Sequence, residues 1–204
     1  MKTKIVTTQE PNAISQARQV LERGGIVAFP TDTVYGVAVG VFSIEGIEAL
    51  YQAKERDPEK AIPVLMSSAA DLEQVAENVS QVAYQLGQEF WPGPLTLIVP
   101  RHPSLPTILG PYPTLGVRVP DHADARALMR VTGPLAVTSA NLSGAPDACS
   151  AQEVLDQLEG RIDLILDGGT TPGGKPSTVV DCTTPKLRLL RQGPIALADL
   201  QKSF

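Results

Sequence analysis

Phe29-Pro30-Thr31-Asp32-Thr33-Val34-Tyr35-Gly36 leaves an apolar strand, Ile26 to Phe29, and enters a turn packed with hydroxyls and one carboxylate. A core strand that ends in Pro-Thr-Asp-Thr sets polar side chains at a sheet edge, where open α/β-type sheets place their ligands. Working outward, Ile14, Ala17, Val20 and Leu21 fall at helical spacing before it, and Gly24-Gly25 supplies the stop. After it comes a second apolar run, Val37 to Val41, and then Ser43, placed to cap a helix with an apolar face of Ile44, Ile47, Leu50 and Tyr51. Asp57 precedes Pro58 and is pushed out of the α region, so this helix is expected to end near Lys54–Arg56.

The same reading continues to the end of the chain. Strands are expected at Ile62–Met66, Leu95–Val99, Leu115–Val119, Leu135–Thr138, Asp163–Leu166, Thr178–Cys182 and Leu187–Leu190. Helices are expected over about Ala70–Ala76, Ser80–Phe90, Asp121–Leu128, a stretch opened by the capping box Ser150-Ala151-Gln152-Glu153, and Ala196–Lys202. Some strands are adjacent and others are separated by helices. That favours a mixed, twisted sheet with helices on both faces over a strict βαβ array. The expectation is an α+β fold in three layers, α/β/α, filling one domain over residues 1–204.

Composition narrows the class. With 43% hydrophobic and 19% charged residues, the chain reads as an ordinary soluble globular protein. No window approaches the ~20 continuous apolar residues of a membrane helix, and no apolar segment follows the two N-terminal lysines. Cys149 and Cys182 form no motif and read as reduced thiols of a cytoplasmic protein. A net charge of −5 argues against a broad nucleic-acid surface, and so against direct binding of an RNA. It leaves room for a nucleotide, which needs only a few converging cations. His102 and His122 with no cysteine pair make no transition-metal site, so any metal is a hard ion carried on phosphate oxygens.

Several polar residues stand where chemistry is possible. Lys54 and Arg56, at i and i+2, do not share a helix face and converge only if the backbone leaves the helix between them. Lys60 follows in the same loop, and a solvated helix end is the plainer alternative. Arg118 lies inside the apolar strand Leu115–Val119, where a cation needs a ligand anion or an ion pair with a nearby carboxylate. Ser139 and Asn141 follow a buried strand and point the same way if the backbone stays extended, or else satisfy their own turn. Arg191 stands in a C-terminal Leu-Arg-Gln-Gly-Pro segment and reads equally as a surface charge. Trp91-Pro92-Gly93-Pro94 reads as a structural turn, and no histidine lies close enough in sequence to Ser139 to suggest a Ser-His hydrolase. The loop Asp167–Pro176 lacks the Walker pattern and is not a P-loop, but is placed to be a mobile cover for a cleft.

Six blocks in this order carry a specific resemblance: the opening stretch, Lys54–Lys60, Trp91–Thr96, Val117–Pro120, Thr138–Gly144, and the C-terminal pair Ser177–Asp181 with Leu190–Pro194. They resemble the YrdC/TsaC family, the threonylcarbamoyl-AMP synthases, from about Ala13 to the chain end. The resemblance implies a concave cleft and a nucleotidyltransferase that forms threonylcarbamoyl-AMP and pyrophosphate from L-threonine, bicarbonate and ATP. It implies Lys54 and Arg56 in catalysis, and Arg56, Lys60, Thr114, Ser139, Asn141 and Arg191 at ATP. It implies Thr33, Arg118 and Ser177 at threonine, Mg2+ on the phosphates, and delivery of product to a threonylcarbamoyl-transferase machinery acting on tRNA. One departure stands out: Leu65 occupies a position where many members carry histidine. That departure keeps a second reading open, a YrdC-like paralogue that binds nucleotide or RNA without synthase activity.

Overall fold

The computed structural model describes residues 2–172, 175–184 and 186–203. Ten strands join one mixed sheet: β1 Lys4–Thr7, β2 Val27–Phe29, β3 Gly36–Gly40, β4 Val64–Leu65, β5 Leu95–Pro100, β6 Thr114–Arg118, β7 Leu135–Ser139, β8 Leu164–Asp167, β9 Thr178–Asp181 and β10 Arg188–Arg191. Their order across the sheet is β1-β8-β2-β3-β7-β4-β6-β5-β9-β10. Pairs β1/β8, β2/β8, β4/β6 and β5/β9 are parallel and the other five are antiparallel.

Alternation along these strands separates two apolar layers. Val37, Val39, Val64, Leu97, Val117 and Ala136 belong to the larger one. It is covered by α2 Ile44–Lys54, α3 Gln81–Phe90 and α5 Ala151–Leu158, through Ile47 and Leu50, Ala83 and Leu86, and Val154 and Leu158. Val27, Phe29, Ala38, Leu135 and Leu164 face the other way, under α1 Ala13–Glu22 and α4 Ala123–Thr132. Each fully buried Leu or Ile contributes about 1.5–3 kcal/mol, so both helix layers are held chiefly by this burial. The expected three-layer α+β fold is what the chain adopts. Among the described residues, α1 and α4 form the second helix layer, packed toward the β1 end of the sheet, and the face between Gly36 of β3 and Val179 of β9 stays open.

Local chemistry sets the elements that frame this opening. Ser43 caps α2, its hydroxyl accepting from Gly46 N at 3.1 Å. The helix ends at Glu55, a non-glycine residue in the left-handed region with φ of 52°. A last turn of α6 Leu197–Leu200 runs on into a 3₁₀ turn at Gln201–Ser203. Two sequence expectations are corrected. The Ala70–Ala76 stretch is a 3₁₀ helix at Ala69–Gln74, closed at its start by Ser68 and Asp71 in a capping box. The helix expected over Asp121–Leu128 begins later and runs further, as α4 Ala123–Thr132 with His122 at its N-cap position. Strand β1 carries too little apolar alternation to be read from sequence, because its pattern is exposed-exposed-buried-exposed.

Candidate ligand-binding cleft

The uncovered half of the second sheet face is a cleft of about 350 Å³. Its floor crosses six neighbouring strands through Gly36, Val137, Leu65, Gly116, Thr96 and Val179. Gly116 keeps the floor low: a Cβ there would stand 3.2 Å from Thr96 Cγ2 and 3.3 Å from Pro63 Cβ. The Pro30–Tyr35 turn forms one wall through Thr31, Thr33 and Val34. Three guanidiniums, Arg56, Arg118 and Arg191, and the carboxylate of Asp147 also line it. In a chain of net charge −5 this is a concentration of positive charge suited to anions.

Each guanidinium has a hydroxyl within reach, and Arg56 is held besides by Lys60 O and Ala61 O, both at 3.0 Å. Arg118 Nη1 donates to Thr33 Oγ1 at 3.2 Å, Arg191 Nη2 to Ser177 Oγ at 3.2 Å, and Arg56 Nη1 to Thr138 Oγ1 at 3.5 Å. Arg118 is the most confined of the three, at 5% exposure. Its Nε donates to Gly93 O at 3.0 Å and its Nη2 to Asp32 Oδ1 at 2.5 Å. Guanidinium has five N–H donors, so one on each terminal nitrogen remains for a ligand. Burial lowers the pKa of all three arginines from the ordinary value; Asp32 opposes that fall at Arg118 and Asp147 at Arg191. All three stay cations.

Other residues named from sequence fall in different places. Thr33 is buried and bonded to Thr31 Oγ1 at 3.0 Å, and Ser177 to Thr96 Oγ1 at 2.7 Å. Ser139 lines the cleft, its hydroxyl donating to Asn141 Oδ1 at 2.5 Å. Asn141 is buried and spends its amide on Leu142 O and Ala145 O, so the self-satisfying turn describes it and it does not line the cleft. Thr114 shares the face of Gly116 and Arg118 but lies beyond the lining residues. Lys60 is exposed and likewise outside the lining; only its carbonyl takes part, accepting from Arg56 Nε at 3.0 Å.

Lys54 departs furthest from expectation. The backbone does leave the helix between Lys54 and Arg56, at Glu55, but the two side chains part instead of converging. Arg56 enters the cleft, while Lys54 is 2% exposed and donates to the carbonyls of Ser139 and Asn141. Burial, with Arg56 adding to it, lowers its pKa from 10.5 to about 8.

Sequence reasoning passed over Asp32, Thr96, Thr138 and Asp147. Asp32 is the one carboxylate of the Phe29–Gly36 stretch, and Thr96 and Thr138 lie in the Trp91–Thr96 and Thr138–Gly144 segments. Asp147 carries no signal in sequence, because it is brought to the cleft by the loop between β7 and α5. Trp91–Pro94, read as a structural turn, also supplies the Gly93 carbonyl that orients Arg118. In the loop Asp167–Pro176, Gly173 and Gly174 lie outside the described residues; Tyr35 OH donates to Gly169 O at 2.7 Å, and Pro176 lines the cleft.

Fold and cleft together define the class: a three-layer protein whose open sheet face carries a cleft lined by arginines and hydroxyls. A model of the Sua5/YciO/YrdC family, described as "Telomere recombination", matches residues 19–193, and the chain belongs to this family. It is 38% identical over 202 residues to the threonylcarbamoyl-AMP synthase of Bacillus subtilis (strain 168), covering 98% of this chain and 58% of that one. The structure of Pyrococcus abyssi Sua5 complexed with L-threonine matches with a TM-score of 0.93 at 34% identity, over 100% of this chain and 61% of that one. Escherichia coli YciO matches with a TM-score of 0.85 at 27% identity, over 96% of this chain and 97% of its own. The chain thus spans about three fifths of the length of the first two relatives.

Proposed function

We propose that this chain is an L-threonylcarbamoyladenylate synthase, a nucleotidyltransferase. L-Threonine and bicarbonate condense to a carbamate with loss of water. A carbamate oxygen attacks the α-phosphorus of ATP, and pyrophosphate leaves. The observation that carries this reading is the gathering of three arginines, each with a hydroxyl within reach, around one hollow of about 350 Å³. A threonine-bound relative of the same fold supports it.

Arg118 takes the threonine carboxylate through its two spare N–H groups, a pairing suited to guanidinium. Thr33 and Ser177 face the substrate hydroxyl. Arg56 and Arg191 take phosphate charge, and the Ser139 hydroxyl reaches the nucleotide, oriented by Asn141. Holding two anions side by side supplies the proximity and charge stabilisation that the adenylyl transfer requires. The apolar floor of Val137, Leu65 and Gly116 limits water around a labile carbamate.

Mg2+ fits as a passenger on ATP. Among the described residues no group of three or more His, Cys, Asp or Glu gathers to hold a metal, and Asp147 is the carboxylate lining the cleft. Phosphate oxygens and water would supply most of the Mg2+ shell, and Asp147 is the residue that would help to hold the ion. Bound there, the ion would neutralise charge on the departing pyrophosphate. The product passes to a threonylcarbamoyl-transferase machinery acting on tRNA in the cytoplasm. Among the described residues no helix is long and apolar enough to cross a membrane.

The test is pyrophosphate release by the purified chain. Release that requires both threonine and bicarbonate is expected. Nucleotide binding with no amino-acid dependence would overturn the synthase reading in favour of a nucleotide-binding paralogue.

A further inference from the structure

Lys54 ends α2 and stays out of the cleft, yet it governs a strip of the cleft wall. Its ammonium donates to Ser139 O at 2.5 Å and to Asn141 O. Its backbone carbonyl accepts from Ser143 N at 3.0 Å. The two intervening N–H groups go elsewhere, Ala140 N to Tyr35 O at 2.8 Å and Leu142 N to Gln157 Oε1 at 3.0 Å. Residues 139–143 are therefore tied down at alternate backbone groups, and Lys54 supplies three of those ties.

We propose that Lys54 is a positioning residue of the nucleotide subsite: it turns the Ser139 and Asn141 carbonyls inward so that the Ser139 hydroxyl faces the cleft, and it touches no phosphate. The proposal rests on the reading of the cleft as an ATP site. A cation at 2% exposure reaches a phosphate only by abandoning two carbonyls, which would then be buried without donors. Ammonium carries three donors; two are committed here, and the third is enclosed with the rest of a side chain that does not line the cleft. The charged groups acting on it are Arg56, beyond the end of its own helix, and Asp147, on the loop after β7. Burial lowers its pKa to about 8, so the charge that strengthens these bonds fades within an accessible pH range.

The experiment measures binding of adenosine and of ATP to wild type and to Lys54→Met. Adenosine has no phosphate, so loss of a positioned wall weakens both ligands by a similar factor, expected at tenfold or more. Loss of ATP affinity with adenosine affinity unchanged would make Lys54 a phosphate ligand and overturn the proposal. Should Lys54→Met fail to fold, the wild type still decides. The amide resonances of Ala140 and Leu142 are expected to titrate together with a midpoint near pH 8, and adenosine affinity to fall over the same range. Resonances that stay flat between pH 7 and 9.5 would sink it. A wild type that binds neither ligand would remove the ATP reading alone, because the amide titration would still report whether Lys54 holds the loop.

Discussion

Arg118 Nη2 lies 2.5 Å from Asp32 Oδ1, the two side chains being 7% and 13% exposed. Arg118 extends from β6 and Asp32 from the turn after β2, with β3, β7 and β4 between them in the sheet. The turn reaches over the sheet face to neutralise a cation at the middle of the cleft floor. Asp32 Oδ2 remains buried with no hydrogen-bond partner, so the pair is tight but incompletely satisfied.

Asp32→Asn keeps the shape and leaves the Arg118 charge buried without its anion. Breaking such a pair costs about 3–5 kcal/mol, and urea unfolding of the variant is expected to show a loss of about 3 kcal/mol. A loss below about 1 kcal/mol would mean that the carbonyl and hydroxyl contacts suffice for Arg118.

Arg118→Lys keeps the charge and loses the fork. A single ammonium cannot serve Gly93 O, Thr33 Oγ1, Asp32 and a ligand carboxylate together. The threonine KM is expected to rise by about tenfold or more, with the ATP KM little changed. Steady-state kinetics with each substrate varied in turn checks this, and the reverse pattern would reassign Arg118 to the nucleotide.

Arg56 and Lys60 separate cleanly in the structure. Arg56→Ala is expected to weaken ATP binding by roughly tenfold to a hundredfold, as charge-assisted contacts are worth ~1.5–3 kcal/mol each. Lys60→Ala, exposed and outside the lining, is expected to change it by less than about threefold. Calorimetry that finds the two variants equally impaired would place the Lys60 side chain in the site.

Selectivity should follow the neighbours of Arg118. Leu65 pairs in register with Arg118, and Val137 lies on the same floor, so a methyl group has apolar contact there. Thr33 and Ser177 supply hydroxyls, and a site built around a substrate hydroxyl rejects analogues that lack it. Threonine is expected first, serine weaker by about tenfold, and valine poorest, in pyrophosphate release at saturating ATP and bicarbonate. Equal rates for threonine and valine would remove the hydroxyl assignment.

Lys54 also gives stability a pH dependence of known sign. Its folded pKa of about 8 lies below the ordinary 10.5, so between these values the unfolded chain binds more protons. The contribution is fully present above pH 10.5 and is lost as pH falls through about 8, reaching roughly 3 kcal/mol at full extent. Denaturant unfolding at pH 7.5 and 9.5 should therefore show wild type gaining relative to Lys54→Met at the higher pH. A gain in the opposite direction would show the ammonium to be net stabilised by its carbonyls.

Much of this was legible in the residues. Period and turn chemistry gave most of the strands and helices, since Val37–Val41 and the Ile47–Leu50 face report burial directly. The strand expected at Ile62–Met66 pairs only through Val64–Leu65 as β4, and the exposed β1 was passed over, because a strand held by its ladder needs little apolar alternation. At the site, Arg118 declared itself as a charge in an apolar strand.

The sequence by itself determined the sheet, its helix layers and the cations available to a ligand, because hydrophobic period, caps and turns are local properties. Only the tertiary structure decided which cations reach it. Lys54 and Arg56 are two residues apart, and no spacing rule sends one into a carbonyl trap and the other into the cleft. Asp32 and Arg118 are 86 positions apart, and the strand order alone brings the carboxylate to the guanidinium. A charge takes its role from the dielectric and the partners around it, and those are fixed when the chain closes on itself.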